Sequence, residues 1–251
     1  MIAEVLRLKA LMGDAGVRKI AATFNRLHGA RISIGKTFVA DVLISHQYEL
    51  TCAKRNIHNK PPTPYRVNAV WALDLTFYTD ATKNMHTVLG VIDHGSRLVT
   101  SLKVIINKRA WTILGHLCLA MGQHGRPKAI RTDNEGVFNC WIFKAMLKCL
   151  GIRHQQSQIC CPWQNGRIER LFGTLKPLLR QLILPNGLAL ESALAEFTLF
   201  YNFIRPHQNL AGLTPVDAWQ GRTWTDIQQS HSEPIWVEAL DGLLAGYYLR
   251  Q

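Results

Sequence analysis

No run of about 18 consecutive apolar residues occurs in this chain of 251 residues, so no segment has the length needed to cross a bilayer as a helix. The N-terminus likewise lacks the uninterrupted apolar core of a secretory signal. The six cysteines include no Cys-x-x-Cys pair, which removes the usual zinc and dithiol motifs, and adjacent Cys160 and Cys161 make poor disulfide partners. These absences point to the reducing cytoplasm and away from membranes. Acids are scarce as well: 17 Asp and Glu stand against 29 Lys and Arg, a net charge of +12. The excess is uneven. Residues 1–66 carry 11 basic residues against four acids, whereas residues 226–251 carry one against four. A polyanion is the natural partner for such a chain, although net charge alone would also serve solubility.

With 47% apolar and 9% aromatic residues, the chain has the material for a folded core. Residues 1–50 read as three short helices. Val5, Leu8 and Leu11 mark the first, Ile20, Phe24 and Leu27 the second, and Phe38, Val39 and Val42 the third. A tight turn before the last helix suggests a helix-turn-helix module, with Arg31, Lys36 and Thr37 placed to meet DNA. A small bundle that merely packs is the alternative. Residues 51–66, with three prolines and four basic residues, read as a stiff, extended linker.

From residue 67 the period changes to two. Trp71, Leu73, Leu75 and Phe77 alternate with Ala72, Asp74, Thr76 and Tyr78, as in a strand with two distinct faces. Residues 86–93 and 97–106 extend this to an antiparallel meander. Helix 109–123, strand 128–132, helix 139–150 and strand 152–156 follow. A helix from about residue 162 then carries the apolar stripe Ile168, Leu171, Phe172, Leu175 and Leu179. The order βββαβαβα by itself supports a mixed α/β sheet. Pro177 should kink or break the last helix. Residues 67–225 form one region in this reading, and 226–251 a tail.

Three acids stand out. Asp74 lies mid-strand, where Asp is disfavoured; Asp133 ends a strand; Glu169 sits on a helix, with 35 residues between it and Asp133. Carboxylates converging from separate elements suit hard divalent cations. Two such ions can stabilise the attacking and leaving oxygens of a displacement at phosphorus. Asp93 reads instead as a turn cap and Glu135 as a solvent-facing acid.

Four strings carry a resemblance: Trp71-Ala-Leu-Asp-Leu-Thr; Thr132-Asp-Asn-Glu-Gly; Pro162-Trp-Gln-Asn-Gly-Arg-Ile-Glu-Arg; and Tyr201-Asn-Phe-Ile-Arg-Pro-His-Gln-Asn-Leu, which Leu213-Thr-Pro-Val-Asp-Ala-Trp follows. In this order and with this acid spacing, the chain resembles the D,D(35)E insertion-sequence transposases of the retroviral-integrase-like superfamily over residues 67–220. The resemblance implies a ribonuclease-H-like core with a mixed five-stranded sheet behind the helical module. It implies Asp74, Asp133 and Glu169 as catalytic ligands of two Mg²⁺ (or Mn²⁺) ions. It further implies cleavage at element ends, transfer of the 3′-hydroxyl strand into target DNA, and a homo-oligomer on double-stranded DNA in the nucleoid. Asn134, Gln164, Asn165, Arg167, Arg170 and Lys176 offer amide and cationic groups to phosphate. A ribonuclease-H-like nuclease and a domesticated DNA-binding derivative are the competing readings.

Overall fold

The computed structural model describes residues 1–58, 64–157, 165–229 and 233–249, which divide into two compact units, Met1–Thr63 and Pro64–Gln251.

The first unit is all helical: α1 (Ile2–Leu11), α2 (Val17–His28), α3 (Lys36–Ser45) and α4 (Gln47–His58). Val5, Leu8, Ile20, Phe24, Val39 and Val42 interlock as its core. The connection between α2 and α3 spans residues 29–35, longer than the turn of about three or four residues in a minimal helix-turn-helix. Asn25 pins it, donating to the Ile34 carbonyl at 2.9 Å and accepting from the Ile34 N–H at 2.8 Å. The expected linker does not begin at residue 51. Leu50 packs against the helical core, and α4 continues through His58.

The second unit is built on a sheet of order β3-β2-β1-β4-β5. Strands β1 (Val70–Thr79), β2 (Met85–Asp93) and β3 (Val99–Ile105) form the antiparallel meander, and β4 (Ala129–Thr132) and β5 (Arg153–Gln156) add in parallel. Period-two alternation sorts the sheet into two apolar faces. Trp71, Leu73 and Leu75 pack with α5 (Ala110–His124) and α7 (Trp141–Cys149), the latter preceded by the short α6 (Gly136–Asn139). Ala72, Val88 and Ile92 meet α8 (Gly166–Leu179) and α9 (Gly187–Phe203).

Helix α8 keeps its stripe: Ile168, Leu171, Leu175 and Leu179 are all buried. Pro177 does not break it, because the helix ends only two residues later and little of the ladder is left to disrupt. Beyond α9 come α10 (Pro215–Gln220), capped by a Thr214–Asp217 box, and α11 (Trp224–Gln229). The expected tail is folded. Strands β6 (Pro234–Ala239) and β7 (Leu244–Leu249) form a hairpin whose Val237, Ala239, Leu244 and Tyr248 pack on Phe200 of α9 and on Ile204 just past its end. Among the described residues no helix is long and apolar enough to cross a membrane.

One glycine sets how close α8 lies to the sheet. A Cβ on Gly90 would stand 2.7 Å from the Phe172 ring and 3.6 Å from Ile168. Phe172 is buried within the apolar cluster that joins α8 to the sheet. Gly90→Ala should therefore destabilise the second unit by about 1–3 kcal/mol through overpacking, read as a lower denaturation midpoint. Adding Phe172→Leu should return part of the loss, because it vacates the space the new methyl needs.

Candidate active site

Asp74 is paired with Gly90 across β1 and β2, directly beneath the closest approach of α8. It shares a sheet face with Ala72 and Thr76, so its side chain rises toward that helix. Strand β4 runs parallel to β1 with Arg131 opposite Ala72. Asp133 lies two residues past Arg131, as Asp74 lies two past Ala72, so it follows the end of β4 at the level of Asp74, where its Oδ1 accepts from the Glu135 N–H at 3.0 Å. Glu169 reaches the same region from the first turn of α8. That turn starts where the Asn165 carbonyl accepts the Ile168 and Glu169 N–H groups at 3.0 and 3.2 Å.

The electrostatics tie the other acids to Asp74. Burial, with Asp133, Glu135 and Glu169 close by, pushes the Asp74 carboxyl up to about 7, against the Leu75 N–H that donates to it at 2.8 Å. Glu135 is thus a correction to the sequence reading. It does not simply face water; it acts on Asp74 while pairing with Lys108 at 3.5 Å. Its place directly after Asp133-Asn134 was the available signal. Asp93 is the turn cap expected, accepting from Ser96 N and Oγ at 2.7 and 2.8 Å and from Asn68 N at 3.1 Å.

Of the other candidates, Asn134 is exposed and ties its loop to β5's end, donating to the Ser157 carbonyl at 2.8 Å. Asn165 is buried at the start of α8, and its Oδ1 has no hydrogen-bond partner among the described residues. Arg170 and Lys176 are exposed on α8, and a Cβ at Gly166 or Gly173 would meet open space, so this helix has a bare face. Arg167 turns inward and donates to the His94 carbonyl at 2.6 Å. Arg31, Lys36 and Thr37 are exposed in the first unit, at or just before the start of α3. Gln164 lies outside the described residues.

Models of the integrase core domain match residues 63–182 and 150–215, spanning both the sheet and all three acids. The chain belongs to the integrase core family. Its insertion-element relative, an uncharacterized 39.2 kDa protein of IS476 from Xanthomonas euvesicatoria, is 27% identical over 59% of this chain and 43% of that protein. The chain thus spans less than half the length of that relative. Among solved structures, the HTLV-2 integrase catalytic core in complex with magnesium has a TM-score of 0.51 at 22% identity, covering 62% of this chain and 99% of that one. A chain of the simian T-cell lymphotropic virus intasome in complex with the PP2A regulatory subunit B56 gamma has a TM-score of 0.56 at 21% identity, covering 98% and 87%. These likenesses establish the fold as that of an integrase catalytic core.

The carboxylates of this integrase core fit a hard cation in type: all are oxygen donors, and their crowding is what a positive charge relieves. Among the described residues, no three His, Cys, Asp or Glu groups converge closely enough to hold one ion. The raised Asp74 pKa makes a prediction about the ion-free chain. A carboxyl raised on folding costs stability above its unfolded pKa of about 4, and the cost is complete above about 7. In EDTA, Asp74→Asn should raise stability by roughly 2–4 kcal/mol at pH 8, with the gain shrinking as pH falls toward 4. Melting curves across that range check it; a gain that does not change with pH would show that charge is not the cause.

Proposed function

We propose that this chain is a DNA transposase that cuts the ends of a mobile element and joins the freed strand to target DNA. The observation that carries the reading is Asp74, level with Asp133 and within electrostatic range of Glu169, in an integrase core. In this reading Asp74, Asp133 and Glu169 would hold two Mg²⁺ or Mn²⁺ ions, which when bound would supply Lewis acidity to the phosphoryl transfer. Asp74 and Asp133 are fixed by the sheet and give the site its rigid side. Glu169, set by the seat of α8, closes it. Half-burial of Asp74 keeps water away from one side of the reacting phosphate, which strengthens charge interactions there.

Cleavage at the element end leaves a 3′-hydroxyl. In joining, that 3′-hydroxyl attacks a target phosphodiester, forming the new P–O bond as the target strand's own 3′-oxygen leaves with a proton. Holding both reactants makes the second step effectively unimolecular. No covalent protein–DNA intermediate enters the scheme. Because each end needs a site, the chain acts as an oligomer of at least two copies on paired ends. The first unit serves as the DNA-binding module, with Arg31, Lys36 and Thr37 at its contact face, and the exposed Asn134, Arg170 and Lys176 meet DNA in the second unit.

Asp74→Asn, Asp133→Asn and Glu169→Gln should each abolish cleavage and joining in Mg²⁺ while the protein stays folded. A Glu169→Gln protein with near wild-type turnover would end the assignment. A pre-cleaved end with a 3′-hydroxyl should be joined to unrelated duplex DNA, and a 3′-deoxy end should bind without joining. Degradation with no joined product under either metal would favour the plain nuclease. In the first unit, Arg31→Gln with Lys36→Gln should weaken binding to element ends more than binding to random DNA; equal loss on both would remove the sequence-reading role.

A further inference from the structure

Strand β4 ends at Thr132, one residue before Asp133, and side chains alternate along it. Thr132 therefore shares the face of Ile130, which packs with Phe143 of α7 on the side of the sheet away from α8. Thr132 is fully buried, and its hydroxyl has two partners: the Asp133 carbonyl at 2.9 Å and His154 Nε2 at 2.9 Å. His154 comes from β5, where it stands opposite Ile130. Its ring meets that of Phe143 edge-on, with centroids 5.5 Å apart. Phe143 is wholly buried and leans in turn on Phe138, so the imidazole rests against a fixed wall.

The hydroxyl has one proton, and the Asp133 carbonyl can only accept, so the proton lies toward the carbonyl. His154 Nε2 is then the donor to the hydroxyl oxygen, and the ring is the Nε2–H tautomer. Burial and nearby Lys144 hold the His154 pKa below the ordinary histidine value, in keeping with a neutral ring. The order of imidazole N–H, hydroxyl and carbonyl runs one way and ends on the backbone of Asp133. Strands β4 and β5 pair up to Thr132 opposite Gln156, and the Ser157 N–H donates to the Thr132 carbonyl at 2.9 Å. Asp133 follows that ladder, and the Thr132 hydroxyl takes up its carbonyl where the ladder stops. The Asp133 carboxylate is fixed separately, by the Glu135 N–H at 3.0 Å. Among the described residues the acids do not converge on one ion. The direction in which each is held therefore enters the affinity of a cation that gathers them.

We propose that His154 and Thr132 are positioning residues for Asp133: the imidazole orients the hydroxyl, and the hydroxyl holds the Asp133 backbone so that its carboxylate is directed at a divalent cation. Neither residue touches the cation or DNA; both act from the opposite face of the sheet. The proposal rests on the reading of the three acids as a cation site and adds Thr132 and His154 to it. A buried threonine and a histidine that only satisfy each other would affect stability alone. A pair that directs Asp133 also changes how the chain holds a cation.

The test measures the Mn²⁺ dissociation constant of the full chain by titration calorimetry, beside melting curves and the joining of a pre-cleaved DNA end in Mg²⁺. Thr132→Val keeps the shape and removes the hydroxyl, whereas Thr132→Ser keeps the hydroxyl. His154→Leu removes the donor, whereas His154→Gln keeps an N–H near the place of Nε2. The Val and Leu variants should each weaken Mn²⁺ binding by about tenfold, and the Ser and Gln variants by less than about threefold. Combining Val and Leu should cost little more than either alone, since both act on one carbonyl. His154→Leu, at a half-buried position, carries the test if Thr132→Val does not fold. Lower melting temperatures with wild-type Mn²⁺ affinity in the Val and Leu variants overturn the positioning role, and so does an equal loss in Val and Ser. Asp133→Asn separates this role from the cation site and should lose Mn²⁺ binding. Loss in Asp133→Asn alone removes the positioning role and keeps the site. Unchanged affinity in all three variants removes both. Weakened Mn²⁺ binding in all three, with no joining by the wild-type protein, keeps the pair and removes the transposase.

Discussion

The site depends on the seat of one helix. Phe172 and Ile168 of α8 lie over the bare backbone of Gly90, which is the cross-strand partner of Asp74. Glu169 is the next residue after Ile168, so the contact that buries the stripe also fixes the third carboxylate. A side chain at position 90 would press on the Phe172 ring and on Ile168, the residue before Glu169. Packing and chemistry share one contact here, and neither can be altered without the other.

The two faces of the sheet divide the work. Trp71, Leu73, Leu75 and Leu89 close one side against α5 and α7 with apolar contacts. The other side pairs an apolar patch with a costly charge cluster, the acids around Asp74. That cluster repels itself, and the burial around it contributes what the charges take away.

Much of this was legible in the chain. The alternation of residues 71–78 gave a two-faced strand because side chains on a strand change sides at every step. A carboxylate in that alternation had to lie on a face, and the apolar stripe from Ile168 to Leu179 had to cover one. Elsewhere, local reading fell short. The basic, apolar-poor segment after residue 50 read as extended, yet Leu50 anchors α4 to its neighbours. The acidic C-terminal stretch read as a tail, yet Val237 and Tyr248 find Phe200 and Ile204. Proline at 177 should have ended the helix early, but it falls where the helix was about to end.

The sequence by itself determined the strands of the sheet, the apolar stripe of α8 and the order in which the three acids come. Those follow from period, propensity and spacing, which are properties of neighbours along the chain. Only the tertiary structure decided that Glu135 joins the crowd around Asp74, that Gly90 sets the height of α8, and that Arg167 turns inward toward His94 and Arg97. These depend on parallel register between β1 and β4 and on a helix crossing two strands. Contacts between residues so far apart in sequence arise from packing in three dimensions, and no local pattern encodes them.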